Sequence, residues 1–317
     1  MTEITHRHVR VGDIRMHVAE AGSGPLVILL HGFPESWYSW RHQLVALAEA
    51  GYHAVAPDQR GYGGTDRPEA VDDYTILHTV GDVIGLITAL GEEQAVVAGH
   101  DWGSGVAWHS ALMRPDRVRA VIALGGPYGA RPATAPLATM RAHAGENFYV
   151  AYLQHPGVAD RELAQDPRAT IRRALHGASG EGYPWHPIVP QGGGLLDTWP
   201  EPDKLPGWLT EEDLDVYAAD FQHTGFTAAL NWFRNLDRNW ALTSPWHDAV
   251  ITPPALYITG DRDSAANLPG GKELIAGTSA VVPNLRQSVV LAGCGHWTQQ
   301  ERPDAVNAAF ISFLDSL

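Results

Sequence analysis

The chain reads as an α/β protein, a mostly parallel, doubly wound sheet with a helical cap inserted into it. Three observations predict this. Strand-like apolar runs alternate with helix-like patterns through the first 127 residues. After Pro127 that rhythm stops, and a stretch rich in Trp, Tyr and His with helical patterning runs to Trp246. From Pro254 the alternation returns. Strand, helix and strand in repetition build a parallel sheet through crossover connections. Residues 1–127 and 247–317 are therefore expected to form the core, and residues 128–246 a cap. Such an insertion lies over the carboxyl edge of the sheet, where open α/β sheets bind ligands.

Taken in order, HRHVRVG and IRMHVAEAG predict a hairpin turned at Gly12-Asp13. LVILLHG is apolar throughout, as strands covered on both faces are. A helix is expected over Glu35–Ala50, a strand at HAVAPD, and a helix over Tyr74–Leu90 ended by Gly91, since glycine readily closes a helix. AVVAGHD, a helix over Trp102–Met113, and AVIALGG complete the first half. A Gly/Pro loop, GASGEGYPWHPIVPQGGG, interrupts the helical insertion. Then come the strand PALYITGDRD, a helix near Leu268–Ala276, the strand SVVLAGCGH and a closing helix over Pro303–Leu317. There are no internal repeats and no low-complexity tails.

Composition narrows the class of protein. The 317 residues are 44% hydrophobic, enough for a large core. With 22 basic and 36 acidic residues the net charge is −14, which argues against nucleic acid or an anionic membrane as a partner. Cys294 is the only cysteine, so no internal disulfide forms, in keeping with a reducing compartment. MTEITHRHVRV lacks the apolar core of a signal peptide, and LVILL is too short to span a bilayer. The expectation is a soluble cytoplasmic protein, monomer or homodimer.

The chemistry gathers where strands end. Gly99-x-Asp101-x-Gly103 has the form of a nucleophile elbow, G-x-S-x-G, with Asp in the place of Ser. A turn that sharp needs small flanking residues, and the helix N-terminus behind it favours a carboxylate. An Asp there could instead simply cap the helix. Against that stands the order nucleophile, acid, His that this arrangement requires. GDRD supplies Asp261 and Asp263 after one strand, and GCGHW supplies His296 after another. Asp263 is preferred as the acid because the loop needs length to reach back to His296. His31-Gly32-Phe33-Pro34 follows the LVILL strand and nominates the backbone N–H groups of Phe33 and Trp102 as an oxyanion hole.

Asp in place of Ser changes the reaction. A carboxylate with a pKa of about 4 is ionised without help from a base. Attack on an ester carbonyl would give a high-energy anhydride, so it suits displacement at a saturated carbon. The product is an alkyl ester of Asp101, which water activated by His296, oriented by Asp263, can hydrolyse. Epoxides and alkyl halides are the biological electrophiles that fit. An epoxide oxygen wants a proton donor, and FYVAYLQHPG offers Tyr149 and Tyr152; a halide wants N–H donors such as Trp102.

HGFPESWYSWRHQ, DQRGYGGTDRP, GHDWG, FYVAYLQHPGVADREL, LNWFRNLDRNW and GCGHWTQ span nearly the whole chain. In them the chain resembles the soluble-type epoxide hydrolases of the α/β-hydrolase fold. The resemblance implies hydrolysis of a small-molecule epoxide by water to a vicinal diol, with no metal and no organic cofactor. By position it implies Asp101 as nucleophile, Asp263 as acid, His296 as base and Tyr149 as donor to the epoxide oxygen. It departs at Asn231-Trp232-Phe233-Arg234-Asn235, where a second cap tyrosine would stand at Phe233. Losing one of two hydrogen bonds to the developing alkoxide corresponds to about 1–3 kcal/mol. Ser104, where many relatives carry glycine, is a second departure. Trp102, Phe233, Trp232, Pro34 and His100 are the expected substrate-binding residues.

Two other readings use the same residues. GHDWGS also occurs in haloalkane dehalogenases, which need a second halide donor; Phe33 holds the position of their usual Asn, and Trp232 is then the candidate. A non-catalytic binding protein with a relic pocket is the third, opposed by the intact Asp101, Asp263 and His296 set. Gly61-x-Gly63 is read as a loop turn, and His6 and His8 as a solvated strand face rather than a metal site.

Overall fold

In the computed structural model, residues 2–182, 184–199, 201–268 and 270–317 are described. Gly12 takes φ +55° and folds β1 (Thr5–Val11) back on β2 (Ile14–Ala21), an antiparallel pair aligned from Thr5↔Glu20 to Val11↔Ile14. β3 (Leu26–Leu30), β4 (His53–Pro57), β5 (Ala95–His100), β6 (Val118–Leu124), β7 (Ala255–Gly260) and β8 (Leu285–Leu291) follow. In space the order is β1-β2-β4-β3-β5-β6-β7-β8. β2 meets β4 antiparallel, and from β4 to β8 every pairing is parallel.

β3 shows why such a strand is apolar at every position. Val27 and Leu29 pack on one face of the sheet with Trp40, Leu44, Phe310 and Phe313, whereas Leu26, Ile28 and Leu30 pack on the other with Val83, Leu86 and Trp108. Side chains alternate across a strand, so a sheet covered on both faces buries both sets. Each fully buried Leu or Ile contributes about 1.5–3 kcal/mol. The covering helices are α1 (Arg41–Glu49), α2 (Ile76–Ala89) and α3 (Trp102–Met113), with others near the carboxyl end of the chain.

Between β6 and β7 the chain forms α4 (Pro136–Ala144), α5 (Tyr149–Tyr152), α6 (Val158–Leu163), α7 (Pro167–Gly177), α8 (Glu211–Thr224), α9 (Thr227–Arg234) and α10 (Leu236–Leu242). The final quarter holds α11 (Ser264–Asn267), α12 (Gly271–Val281), α13 (Thr298–Glu301) and α14 (Pro303–Leu314). Among the described residues, no helix is long and apolar enough to cross a membrane.

Several boundaries differ from the sequence reading, each for a local reason. The helix expected over 35–50 is a 3-10 turn at Trp37–Trp40 followed by α1, because the Glu35 carboxylate turns inward and Ser36, extended, accepts a bond from the Tyr38 N–H. The helix expected from Tyr74 begins at Ile76, since Thr75 is extended at ψ 160°. The helix placed near Leu268–Ala276 is α12, displaced towards the carboxyl terminus because Gly270 adopts φ +84° and starts it; Pro269 lies outside the described residues. The strand read from Ser288 begins at Leu285, and the closing helix stops at Leu314.

After β3 the chain moves to one side of the sheet, to β4; after β4 it crosses to β5 on the other. The carboxyl ends of β3 and β5 are therefore the topological switch point, where crossovers leave to opposite sides and a crevice opens. Their register, Leu30↔Gly99, brings His31–Pro34 and Asp101 to its two lips.

Candidate active site

At the end of β5 the chain reverses into α3 within one residue, and that residue is Asp101, at φ 52°, ψ −119°. Among the described residues it is the only non-glycine with positive φ. Such a conformation costs on the order of 1–3 kcal/mol and persists only where its surroundings enforce it. The glycines of the motif allow it: a Cβ on Gly99 would lie 2.0 Å from the Gly103 carbonyl oxygen, and one on Gly103 would lie 2.2 Å from that of Leu30. The result is a carboxylate aimed off the sheet at the N-terminus of a twelve-residue helix, whose partial positive charge favours it.

Two groups hold the carboxylate. The Phe33 backbone N–H donates to Asp101 Oδ1 at 2.9 Å. His296 Nε2 lies 3.4 Å from Oδ2. On the other side of the imidazole, Nδ1 donates to Asp263 Oδ1 at 3.0 Å, and the Asp263 side chain is 0% exposed. The loops after β5, β7 and β8 thus bring Asp101, Asp263 and His296 into one line. Asp261, the other candidate acid, is exposed. The Trp102 N–H, proposed beside that of Phe33, makes no bond to the carboxylate in this state.

Burial works against charge on both members of the Asp101–His296 pair, yet each is held charged by its neighbours. Burial would raise the Asp101 pKa, but the His296 contact, the nearby His100 and the Phe33 N–H outweigh it and hold the carboxyl below its ordinary value. Burial would lower the His296 pKa, but the charges of Asp263 and Asp101 and its bonds to both carry it well above the usual imidazole range.

A cavity of about 350 Å³ opens over Asp101. Its wall is mostly apolar and aromatic: Phe33, Pro34 and Trp102 from the core, Tyr149 and Phe233 from the helical insertion, with His296 at the floor. The Phe233 ring sits edge-on between Phe33, at 5.4 Å, and Trp102, at 4.9 Å, with Tyr149 at 6.4 Å. Burial and the Asp101 charge raise the Tyr149 pKa, so the phenol stays protonated and able to donate. Tyr152 faces away and donates to Glu162 at 2.7 Å.

Two residues expected around a substrate are elsewhere, and the packing explains why. Successive residues of α9 point about 100° apart. Trp232 therefore turns to the core and donates its indole N–H to the Arg60 carbonyl at 3.1 Å, Phe233 faces the cavity, and Arg234 pairs with Asp160 at 2.6 Å. Trp232 neither lines the cavity nor has a free N–H for a halide. His100 lies beneath the site, fully buried: Nδ1 bonds Glu35 Oε2 at 2.7 Å and Nε2 the His296 carbonyl at 2.8 Å. It fixes loops and does not line the cavity over Asp101.

Glu35 was not singled out from sequence. Its buried carboxylate accepts from the Gly32 N–H at 3.0 Å, from His100, and from the side-chain amides of Gln299 and Gln300, both at 3.0 Å. It thereby ties the Phe33 loop to the His296 loop. An acidic residue inside an otherwise apolar strand-end turn was the available signal.

Residues 25–303 match the family described as alpha/beta hydrolase fold. The chain is 44% identical to epoxide hydrolase A of Mycobacterium tuberculosis, over 99% of this chain and 98% of that one. It is likewise 44% identical to epoxide hydrolase 1 of Siraitia grosvenorii, over 99% of each. The crystal structure of epoxide hydrolase A from Mycobacterium thermoresistibile superposes with a TM-score of 0.93 at 46% identity, covering 99% of this chain and 98% of that chain.

Proposed function

The chain belongs to the epoxide hydrolases of the α/β-hydrolase fold, and from that premise we propose that it opens epoxides through an ester of Asp101. It hydrolyses the ether bond of a small-molecule epoxide with water. The observation that carries the covalent route is the ionised Asp101 carboxylate, strained out over an apolar cavity with Oδ1 bonded and Oδ2 turned to His296.

Asp101 Oδ2 attacks a ring carbon from behind, the carbon–oxygen bond of the ring breaks, and its electron pair goes to the epoxide oxygen. Tyr149, kept protonated by burial, donates to that oxygen as charge develops. Ester formation removes the negative charge of Asp101, one of the terms that raise the His296 pKa. The imidazolium therefore gives up its extra proton, which restores the Tyr149 phenol, and the neutral imidazole is free to act as base. It takes a proton from water as the water oxygen adds to Asp101 Cγ, while Asp263 holds the ring in place. The oxyanion forms on Oδ1, where the Phe33 N–H already points; the Trp102 N–H joins as the carbon becomes tetrahedral. Collapse expels the diol oxygen, which recovers the proton from His296, and the carboxylic acid left at Asp101 passes its proton to His296, which restores the resting pair. Residues 128–246, in this reading, are the cap that keeps bulk water from the ester.

A single turnover in heavy-oxygen water, with enzyme in excess over styrene oxide, tests this. The label is expected in the peptide carrying Asp101 and not in the diol. Label in the diol alone, with none in Asp101, would mean that water attacks the ring directly.

With Phe233 offering no hydroxyl, activation of the ring oxygen rests on Tyr149. Tyr149→Phe is expected to lower kcat/KM for styrene oxide by about 100-fold or more, as loss of a general acid does. A change under about threefold would remove Tyr149 from this role.

A further inference from the structure

Glu301 is a buried carboxylate close to His296 with no part in either displacement. It ends α13, is 6% exposed, and folds back onto the loop that carries the base. Oε2 accepts the Gly295 N–H at 2.9 Å and Oε1 the Trp297 N–H at 3.2 Å, so one side chain holds the residues on either side of His296. Oε2 also accepts the Gly180 N–H at 2.9 Å, from the segment that follows α7 in the helical insertion. An ionised carboxylate offers about four acceptor sites and can take all three bonds at once.

The same segment of the insertion meets the base loop directly. The His296 N–H donates to the Ala178 carbonyl at 2.8 Å, the Trp297 indole N–H to the Leu175 carbonyl at 2.8 Å, and Arg262, beside Asp263, donates to the Gly180 carbonyl at 3.0 Å. The two backbones are in contact: a Cβ on Gly295 would lie 2.2 Å from the Gly180 nitrogen. Residues 295–297 are buried, and a buried backbone N–H must find a partner. Here each is met by Glu301 or by the Ala178 carbonyl. Asp263 fixes the tilt of the imidazole through Nδ1. The place of the ring, and so the 3.4 Å gap from Nε2 to Asp101 Oδ2, depends on this backbone.

We propose that Glu301 is a positioning residue for His296: by tying the base loop to residues 178–180 of the insertion, it holds the imidazole where it can deliver water to the Asp101 ester. The inference rests on the Asp101 reading and extends it. The two half-reactions then depend on Glu301 unequally. Displacement at the ring carbon uses the Asp101 carboxylate, the Phe33 N–H and Tyr149, none of which Glu301 bonds. Release of the ester uses His296, so a displaced base slows that step alone. A reacting group misplaced by about 1 Å costs on the order of 100-fold in rate.

The test times both steps in wild type, Glu301→Gln and Glu301→Asp, with enzyme in excess over styrene oxide, rapid acid quench and intact-mass spectrometry. Gln keeps the length but turns one oxygen into a donor that faces an N–H. Asp keeps the charge but is one methylene short of spanning the two loops. In each variant the ester on Asp101 is expected to form at a rate within about threefold of wild type and to decay about tenfold or more slowly, so that it accumulates. Decay within about threefold of wild type overturns the proposal. So does equal slowing of both steps, since a general loosening of the fold slows the two alike. Melting temperature shows whether each variant is folded, and either one alone decides. If wild type itself forms no ester on Asp101, the reading of the site has failed; if it does and the variants clear the ester at the wild-type rate, only the role of Glu301 has.

Discussion

His296→Gln is expected to stop the enzyme half-way, as a stable alkyl ester. The variant keeps Asp101, its strained turn and the Phe33 N–H on Oδ1, which is all that the first displacement uses. It loses the imidazole beside Oδ2 and with it the means of activating water. Gln is close in length and can donate to Asp263, so the fold should hold. Turnover should fall by about 1,000-fold or more, in line with the loss of a general base. Intact-mass spectrometry after incubation with styrene oxide should show one added substrate mass, on the peptide containing Asp101. The chemistry makes this more telling than loss of rate alone. A site that merely binds epoxide would show no adduct, and direct attack by water would show loss of activity with no adduct. Either outcome ends the covalent proposal.

Much of the fold was legible because it rests on periodicity and on glycine. The LVILL strand could be nothing but a strand covered on both faces, and Trp102–Met113 was bounded by a turn only small residues allow. Chain order alone nominated Asp101, Asp263 and His296, and the structure places them within bonding distance in that line. What was not legible depends on direction. Whether Trp232 or Phe233 faces the cavity is settled by the Arg234–Asp160 pair and the Arg60 carbonyl, contacts over 74 and 172 positions of chain that no local pattern encodes. Glu35 escaped for the same reason: its partners, Gln299 and Gln300, stand at the other end of the chain. Helix starts at Ile76 and Gly271 were set by single backbone dihedrals, at Thr75 and Gly270, beyond the reach of hydrophobic spacing.

Asp101→Asn should abolish activity, by about 10,000-fold or more, since a neutral amide cannot displace an alkoxide from carbon. Its greater value is that it copies the charge of the ester without the substrate. In the free enzyme Asp101 and Asp263 both hold a proton on His296. The Asn variant keeps Asp263 and removes the other charge, so the His296 pKa should fall, as the mechanism requires on ester formation. Nuclear magnetic resonance of the imidazole against pH measures this, and an unchanged or higher pKa would break the proposed sequence of base activation. Stability gives an independent reading. A folded-state pKa raised above the unfolded value of about 6.5 adds stability that is complete below that value and is lost as pH rises through the folded pKa. The depressed Asp101 pKa acts in the opposite sense, adding stability that is lost as pH falls through it. Melting temperature in the wild type should therefore fall as pH rises from about 6.5 towards the folded-state pKa of His296, whereas in Asp101→Asn that fall should be smaller and should end at lower pH. The same charge that readies the nucleophile thus keeps the base occupied until the nucleophile has been consumed, which orders the two steps without any movement of the chain.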